Sequence, residues 1–130
     1  MTPGLTVRRM SARTRTLTAM ATFDELSALA LALPRAHREI TWEQVTFRVG
    51  RKIFAMGAPE SGAASVKARP EEQAELIAAA PEVFAVAPYT GRFGWVRVQL
   101  AGVETEELRE LLTEAWRSVA PKKVLKEYGE

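Results

Sequence analysis

No cysteine occurs in the 130 residues. That excludes disulfides, thiol nucleophiles and cysteine-ligated metal centres, and it fits a reducing compartment such as the cytoplasm. Histidine and aspartate occur once each, as His37 and Asp24, on separate predicted elements. A Ser-His-Asp triad would need those two residues to meet beside a serine, and a multi-histidine metal site cannot be assembled at all. Long apolar runs are also missing. Leu26 to Leu33 is interrupted by Ser27 and falls far short of the ~20 residues that span a bilayer, so a soluble protein without membrane contact is expected. The glycine-containing stretch PYTGRFGW has neither the Gly-x-Gly-x-x-Gly spacing nor a Lys-Ser/Thr ending, so no phosphate-cradling loop is present. The expectation is a protein with no catalytic residues, no metal and no cofactor: a binding protein, not an enzyme.

What is present is the material of one folded domain. Hydrophobic residues make up 47% of the chain, ordinary for a globular core, and a chain of this length buries enough surface to fold without staples. The sequence pI of 9.2 suggests a polyanionic partner, but the charge is unevenly placed. Arg8, Arg9, Arg13 and Arg15 lie in residues 1–19 with no acid, and the rest of the chain holds 14 basic and 16 acidic residues. Basicity is therefore a property of the tail, and a whole-domain electrostatic case for DNA fails. Residues 1–19 read as a disordered basic tail, rich in Thr and Arg and poor in large apolar side chains. An electrostatic arm or a targeting signal are the other readings of it. Residues 20–130 read as the single domain, and Met20 immediately precedes its first helix.

Thr22 is a plausible N-cap for a helix carrying Phe23, Leu26, Ala30 and Leu33 on one face, stopped by Pro34. Residues 35–39 read as a polar connection. Val45, Phe47 and Val49 alternate with Thr46 and Arg48 as a half-buried strand, Gly50-Arg51 is a two-residue turn, and Lys52 to Met56 returns as its partner. A third strand is expected at Ala64–Ala68. A helix follows from Pro70 to about Ala80, then a fourth strand from Phe93 to Leu100. Leu108, Leu111, Leu112, Ala115, Trp116 and Val119 form the best helical stripe, capped by Thr105 and ended by Pro121, with Lys122, Lys123 and Lys126 in a solvated tail. The order predicts an α+β fold: an antiparallel sheet of about four to five strands with helices packed on one face.

The run TWEQVTFRVGRKIFA, residues 41–55, resembles the MmcQ/YjbR-like proteins in its order of Trp, Phe-Arg-Val strand, Gly turn and Lys-hydrophobic strand. ALPRAHREITW (32–42), PEVFAVAPYTGRFGWVRVQL (81–100) and LLTEAWRSVAPKKVL (111–125) extend the similarity over nearly all of residues 20–126. The resemblance implies a fold like that of the frataxin/CyaY group and a "double wing" DNA-binding role, a function that attaches to the fold and not to named residues. The frataxin group carries its acidic ridge on the first helix. Here that helix has only Asp24 and Glu25, while Glu104, Glu106, Glu107, Glu110 and Glu114 fall on the last long helix, where they read as a solvated face interleaved with Arg109 and Arg117.

Strand parity supplies the candidate site. If Val45, Phe47 and Val49 face the helices, Arg48 faces away, as do Lys67, Trp95 and Arg97, and Trp42 shares that parity if no bulge intervenes. Indoles stack on bases and cations pair with phosphates, so this face suits nucleic acid. Arg51 and Lys52 at the hairpin, with Arg69 and Arg92, form a basic wing, and Tyr89 offers a hydroxyl or anchors its loop. The plainer reading is a solvated face whose tryptophans cover strand edges and whose cations keep it soluble. The expected partner is DNA. A small molecule or a protein on the same Trp/Arg/Lys face is the alternative, and the oligomeric state stays open with a monomer as the default.

Overall fold

The computed structural model describes residues 21–41 and 43–129. The basic tail and Trp42 therefore lie outside the described residues. Helix α1 (Phe23–Leu31) begins with a complete capping box: the Glu25 amide donates to Thr22 Oγ1 at 3.1 Å, and the Thr22 amide donates to Glu25 Oε1 at 3.0 Å. Thr22→Ala removes one half of that exchange and should cost about 1 kcal/mol, read as a shift in urea midpoint. An unchanged midpoint would mean that water replaces the cap at no cost.

Six strands follow: β1 (Ala36–Thr41), β2 (Gln44–Val49), β3 (Lys52–Gly57), β4 (Ala63–Val66), β5 (Phe84–Val86) and β6 (Val96–Gln99). All pairings are antiparallel, in the order β1-β2-β3-β4-β6-β5. The sheet thus exceeds the expected four to five strands. Most of the stretch read as connection (35–39) belongs to an edge strand, residues 36–41, pairing Ala36 with Val49 through Thr41 with Gln44. An edge strand needs no apolar alternation, which is why a polar sequence serves. The fourth predicted strand is shorter than expected, because Gly91–Phe93 and Leu100–Gly102 are single 3-10 turns at its two ends.

Helix α2 (Pro70–Ala79) starts on its proline. Helix α3 (Thr105–Val119) begins at Thr105 itself, with Glu104 as N-cap. Residues 122–127, read as a solvated tail, form helix α4 (Lys122–Glu127), which buries Val124. The Arg35 guanidinium holds Glu127 in two contacts, 3.3 and 3.0 Å, tying α4 to the turn before β1. That hydrogen bond, and then the charge of Glu127, raise the Arg35 pKa above its ordinary value.

The core lies between the sheet and the α1–α3 layer. Val45, Phe47, Val49, Val66, Val96 and Val98 meet Leu26, Leu108, Leu111, Leu112 and Trp116 there. A register shift opposite Phe47/Arg48 inserts Phe54 into β3, so that consecutive Phe54 and Ala55 are both fully buried. Among the described residues no helix is long and apolar enough to cross a membrane.

Candidate functional site

Strand direction sorts the charged residues into two ends of the sheet. β2 runs from Gln44 to Val49 and β3 returns from Lys52, so Arg51 and Lys52 mark one end. β4 finishes at that end, where the Lys67 amide donates to the Phe54 carbonyl at 3.0 Å. β6 starts there opposite Val66, which brings the 91–94 turn alongside. Arg51, Lys52, Lys67, Arg69 and Arg92 therefore share one end of the molecule, against the carboxylates of Glu71, Glu72 and Glu114. Their exposure ranges from half-buried for Lys67 to open for the other four cations. The opposite end holds the β1–β2 turn with Glu43, the 3-10 turn Pro59–Ser61 with Glu60, and the α1 and α3 starts, linked by Thr105 Oγ1 donating to Glu25 Oε2. Glu25, Glu43, Glu60, Glu104 and Glu106 make that end acidic, so the two ends of the folded domain differ in the sign of their charge although the domain is close to balanced.

Sequence parity joined Arg48, Trp95 and Arg97 into one open patch, and the structure separates them. Arg48 is half-buried in a network across β1 and β2. Its Nε donates to Thr46 Oγ1 at 3.0 Å, its Nη2 donates to Thr41 Oγ1 at 3.2 Å, and its Nε lies 3.7 Å from Glu39 Oε1. Thr46, with 3% exposure, donates in turn to the Glu39 carbonyl. Arg48 thus fastens the edge strand and is not an idle cation.

Trp95, expected to stand outward and stack, is only 7% exposed. It precedes β6 in the turn, where strand alternation does not yet hold. Its carbonyl takes the Ala87 amide and Gln73 Nε2, and the Lys67 ammonium lies 6.0 Å from its ring. Arg97 remains exposed on β6, opposite Ser65 and Ala85, beside a shallow cavity of about 220 Å³ that Met56 and Pro88 also line.

The aromatic exposure that parity assigned to Trp95 belongs to its neighbours in the preceding turn. Tyr89 is 95% exposed, held at φ +64 in a three-residue turn closed by the Thr90 amide on the Pro88 carbonyl at 2.6 Å. Positive φ at a bulky non-glycine residue is strained. Phe93 is 59% exposed, with the Arg92 guanidinium 4.8 Å from its ring. Phe93 also walls a larger cavity of about 420 Å³, shared by Lys67, Arg69, Glu72, Arg117 and Ser118. Parity could not find it, because it forms where the 67–70 corner, the 91–94 turn and the last turns of α3 meet. Glycines at 91 and 94 were the one sequence signal for such a close approach. Among the described residues no group of three or more His, Asp or Glu side chains could hold a metal ion.

Known proteins resemble this chain in structure or in sequence. A crystal structure of Deinococcus radiodurans protein DR2400, which carries a DUF419 domain, superposes with a TM-score of 0.73 at 28% identity, covering 85% of this chain and 89% of that one. The uncharacterized proteins Mb2600 of Mycobacterium bovis and Rv2570 of Mycobacterium tuberculosis are each 31% identical over 129 residues, covering 84% of this chain and 96% of their own length. The YjbR family model matches residues 31–118, from the end of α1 to the last turn of α3. The chain belongs to the YjbR family.

Proposed function

We propose that this protein binds DNA, without catalysing a reaction on it, through the basic end of its sheet. Arg51 and Lys52 form the hairpin wing that meets the phosphate backbone, and Lys67, Arg69 and Arg92 extend the contact along neighbouring corners. The observation that supports this reading is the segregation of charge. Five cations from three separate stretches of chain outnumber the three carboxylates at one end, and acids are in excess at the other, although the domain's overall balance gives no net attraction. Such a polar charge distribution orients the protein toward a polyanion even where net charge is near zero. Aromatic contact with bases falls to Tyr89 and Phe93, which are exposed, in place of Trp95.

The test is the salt dependence of oligonucleotide binding, measured by fluorescence anisotropy. Engagement of three or four phosphates should give a log K against log salt slope of roughly −3 to −4 on duplex DNA. Arg51→Gln with Lys52→Gln should flatten the slope by about 2, since each cation that contacts phosphate carries about one unit of it. A chain starting at Met20 should keep that difference, which separates the domain from the four arginines of residues 1–19. Undetectable association at ~50 mM salt, or a slope indifferent to the double substitution, removes the DNA reading.

A further inference from the structure

The cavity of about 420 Å³ at the basic end has a size and a mixed lining that a flat phosphate contact does not need. Its charges are not equivalent. Arg117 Nη1 is bonded to Glu114 Oε2 within α3, and its guanidinium also lies 5.8 Å from the Tyr128 ring, so this cation is engaged by its own neighbours. Lys67 and Arg69 make no ion pair among the described residues, and the Lys67 ammonium lies 6.0 Å from the Trp95 ring. They flank the start of α2, whose N-cap, Arg69, has no side chain accepting from the first-turn amides. On the facing wall Phe93 exposes its ring. Two cations without carboxylate partners match the roughly −1.5 to −2 charge of one phosphomonoester. Within the lining, Glu72 and the Glu114–Arg117 pair add no net positive charge for a chain of phosphates. An aromatic wall beside a single-phosphate site is the recognition pattern of a mononucleotide.

We propose that this cavity binds a nucleoside 5′-phosphate, with the phosphate between Lys67 and Arg69 and the base against Phe93. The same chemistry is offered by a free nucleotide and by the 5′-phosphorylated end of a DNA strand. The inference rests on the reading of the basic end as a phosphate site and specifies it: the wing holds the backbone, and the cavity takes a terminal nucleotide that internal phosphodiesters cannot supply.

The experiment uses the full chain. Calorimetric titrations with 5′-deoxyadenylate, deoxyadenosine and inorganic phosphate are set beside one single-stranded oligonucleotide carrying either a 5′-phosphate or a 5′-hydroxyl. The nucleotide should bind at least about tenfold more tightly than deoxyadenosine, the order expected of one or two charge-assisted hydrogen bonds. Phe93→Ala should bring the nucleotide down to the level of inorganic phosphate. If strand ends are the source, the 5′-phosphorylated oligonucleotide should be preferred by a similar factor. Arg69→Gln, at an exposed position, should reduce that ratio to about one whatever it does to overall affinity.

Nucleotide binding without oligonucleotide binding would keep the cavity assignment and remove the DNA reading. Equal affinity for the two oligonucleotides, with no binding of free nucleotide, would overturn the cavity assignment and leave the wing's DNA contact standing. A nucleotide preference that survives both Arg69→Gln and Phe93→Ala would also overturn it, because the site would then lie elsewhere.

Discussion

Trp116→Ala should lower the unfolding free energy by about 3–5 kcal/mol, the range for truncating a buried large aromatic. Trp116 is fully buried on the apolar stripe of α3 and is the largest side chain in that state among the described residues. Its Nε1 donates to the Pro34 carbonyl at 2.9 Å, across the corner that joins α1 to β1, and its ring lies 4.8 Å from that of Tyr128 just after α4. One side chain therefore bonds α3 to the start of the sheet and supports the C-terminal helix. Alanine leaves a cavity, orphans a carbonyl and removes the support of α4 at once. Trp116→Phe keeps most of the volume but not the donor, and should cost only about 1–2 kcal/mol. Urea unfolding of the three proteins separates packing from hydrogen bonding. An alanine variant within about 1 kcal/mol of the parent would show that the core closes over the gap and that the indole is not the link between these elements.

The same stripe shows how far the sequence is legible. Leu108, Leu111, Leu112, Ala115, Trp116 and Val119 announce α3 because a helix packed on a sheet must repeat its apolar face every three or four residues, and all six are buried. The β2–β3 hairpin is equally plain. Gly50 takes φ +62 at the turn, and Val45, Phe47 and Val49 face the core. Edge elements are where the reading runs out. β1 spells AHREIT and buries none of its side chains, so backbone pairing and polar contacts such as Arg48 with Thr41 and Glu39 hold it, and these leave no apolar period. β5 is three residues long and too short to show one. Strict alternation also fails at the bulge, where Phe54 and Ala55 are buried side by side.

For the site, individual cations were legible and their grouping was not. Arg51, Lys67 and Arg92 are distant in sequence, and they meet because β6 inserts between β4 and β5, an order that no local pattern encodes. Parity instead grouped residues that happen to share a phase. It included Arg48, which the Glu39, Thr46 and Thr41 oxygens already occupy, and Trp95, which sits in a turn before its strand begins. The exposed ring next to the cations is Phe93, expected only as the first residue of a strand.

Gly94→Ala should cost about 2–4 kcal/mol, and it should act on the cavity directly. Gly94 closes the 91–93 turn at φ +106, a conformation that costs any L side chain energy. A Cβ there would stand 2.4 Å from the Ala68 carbonyl oxygen and 2.7 Å from both the Arg69 carbonyl carbon and the Pro70 nitrogen. Those are backbone atoms, which cannot swing aside. The 91–94 turn must therefore separate from the 68–70 corner, and that separation moves Phe93 away from Lys67 and Arg69. Gly50→Ala is the matched control. Its φ of +62 is also positive, but nothing lies within 4 Å of the added carbon, so only the conformational term of about 1 kcal/mol applies. The two variants should differ by at least about 1 kcal/mol in chemical denaturation, with the larger loss at Gly94. Gly94→Ala should also weaken 5′-deoxyadenylate binding under conditions where it remains folded, while Gly50→Ala should not. Equal destabilisation of the two would mean that the 91–94 turn is free to shift, and a turn free to shift cannot hold an aromatic wall against a phosphate site.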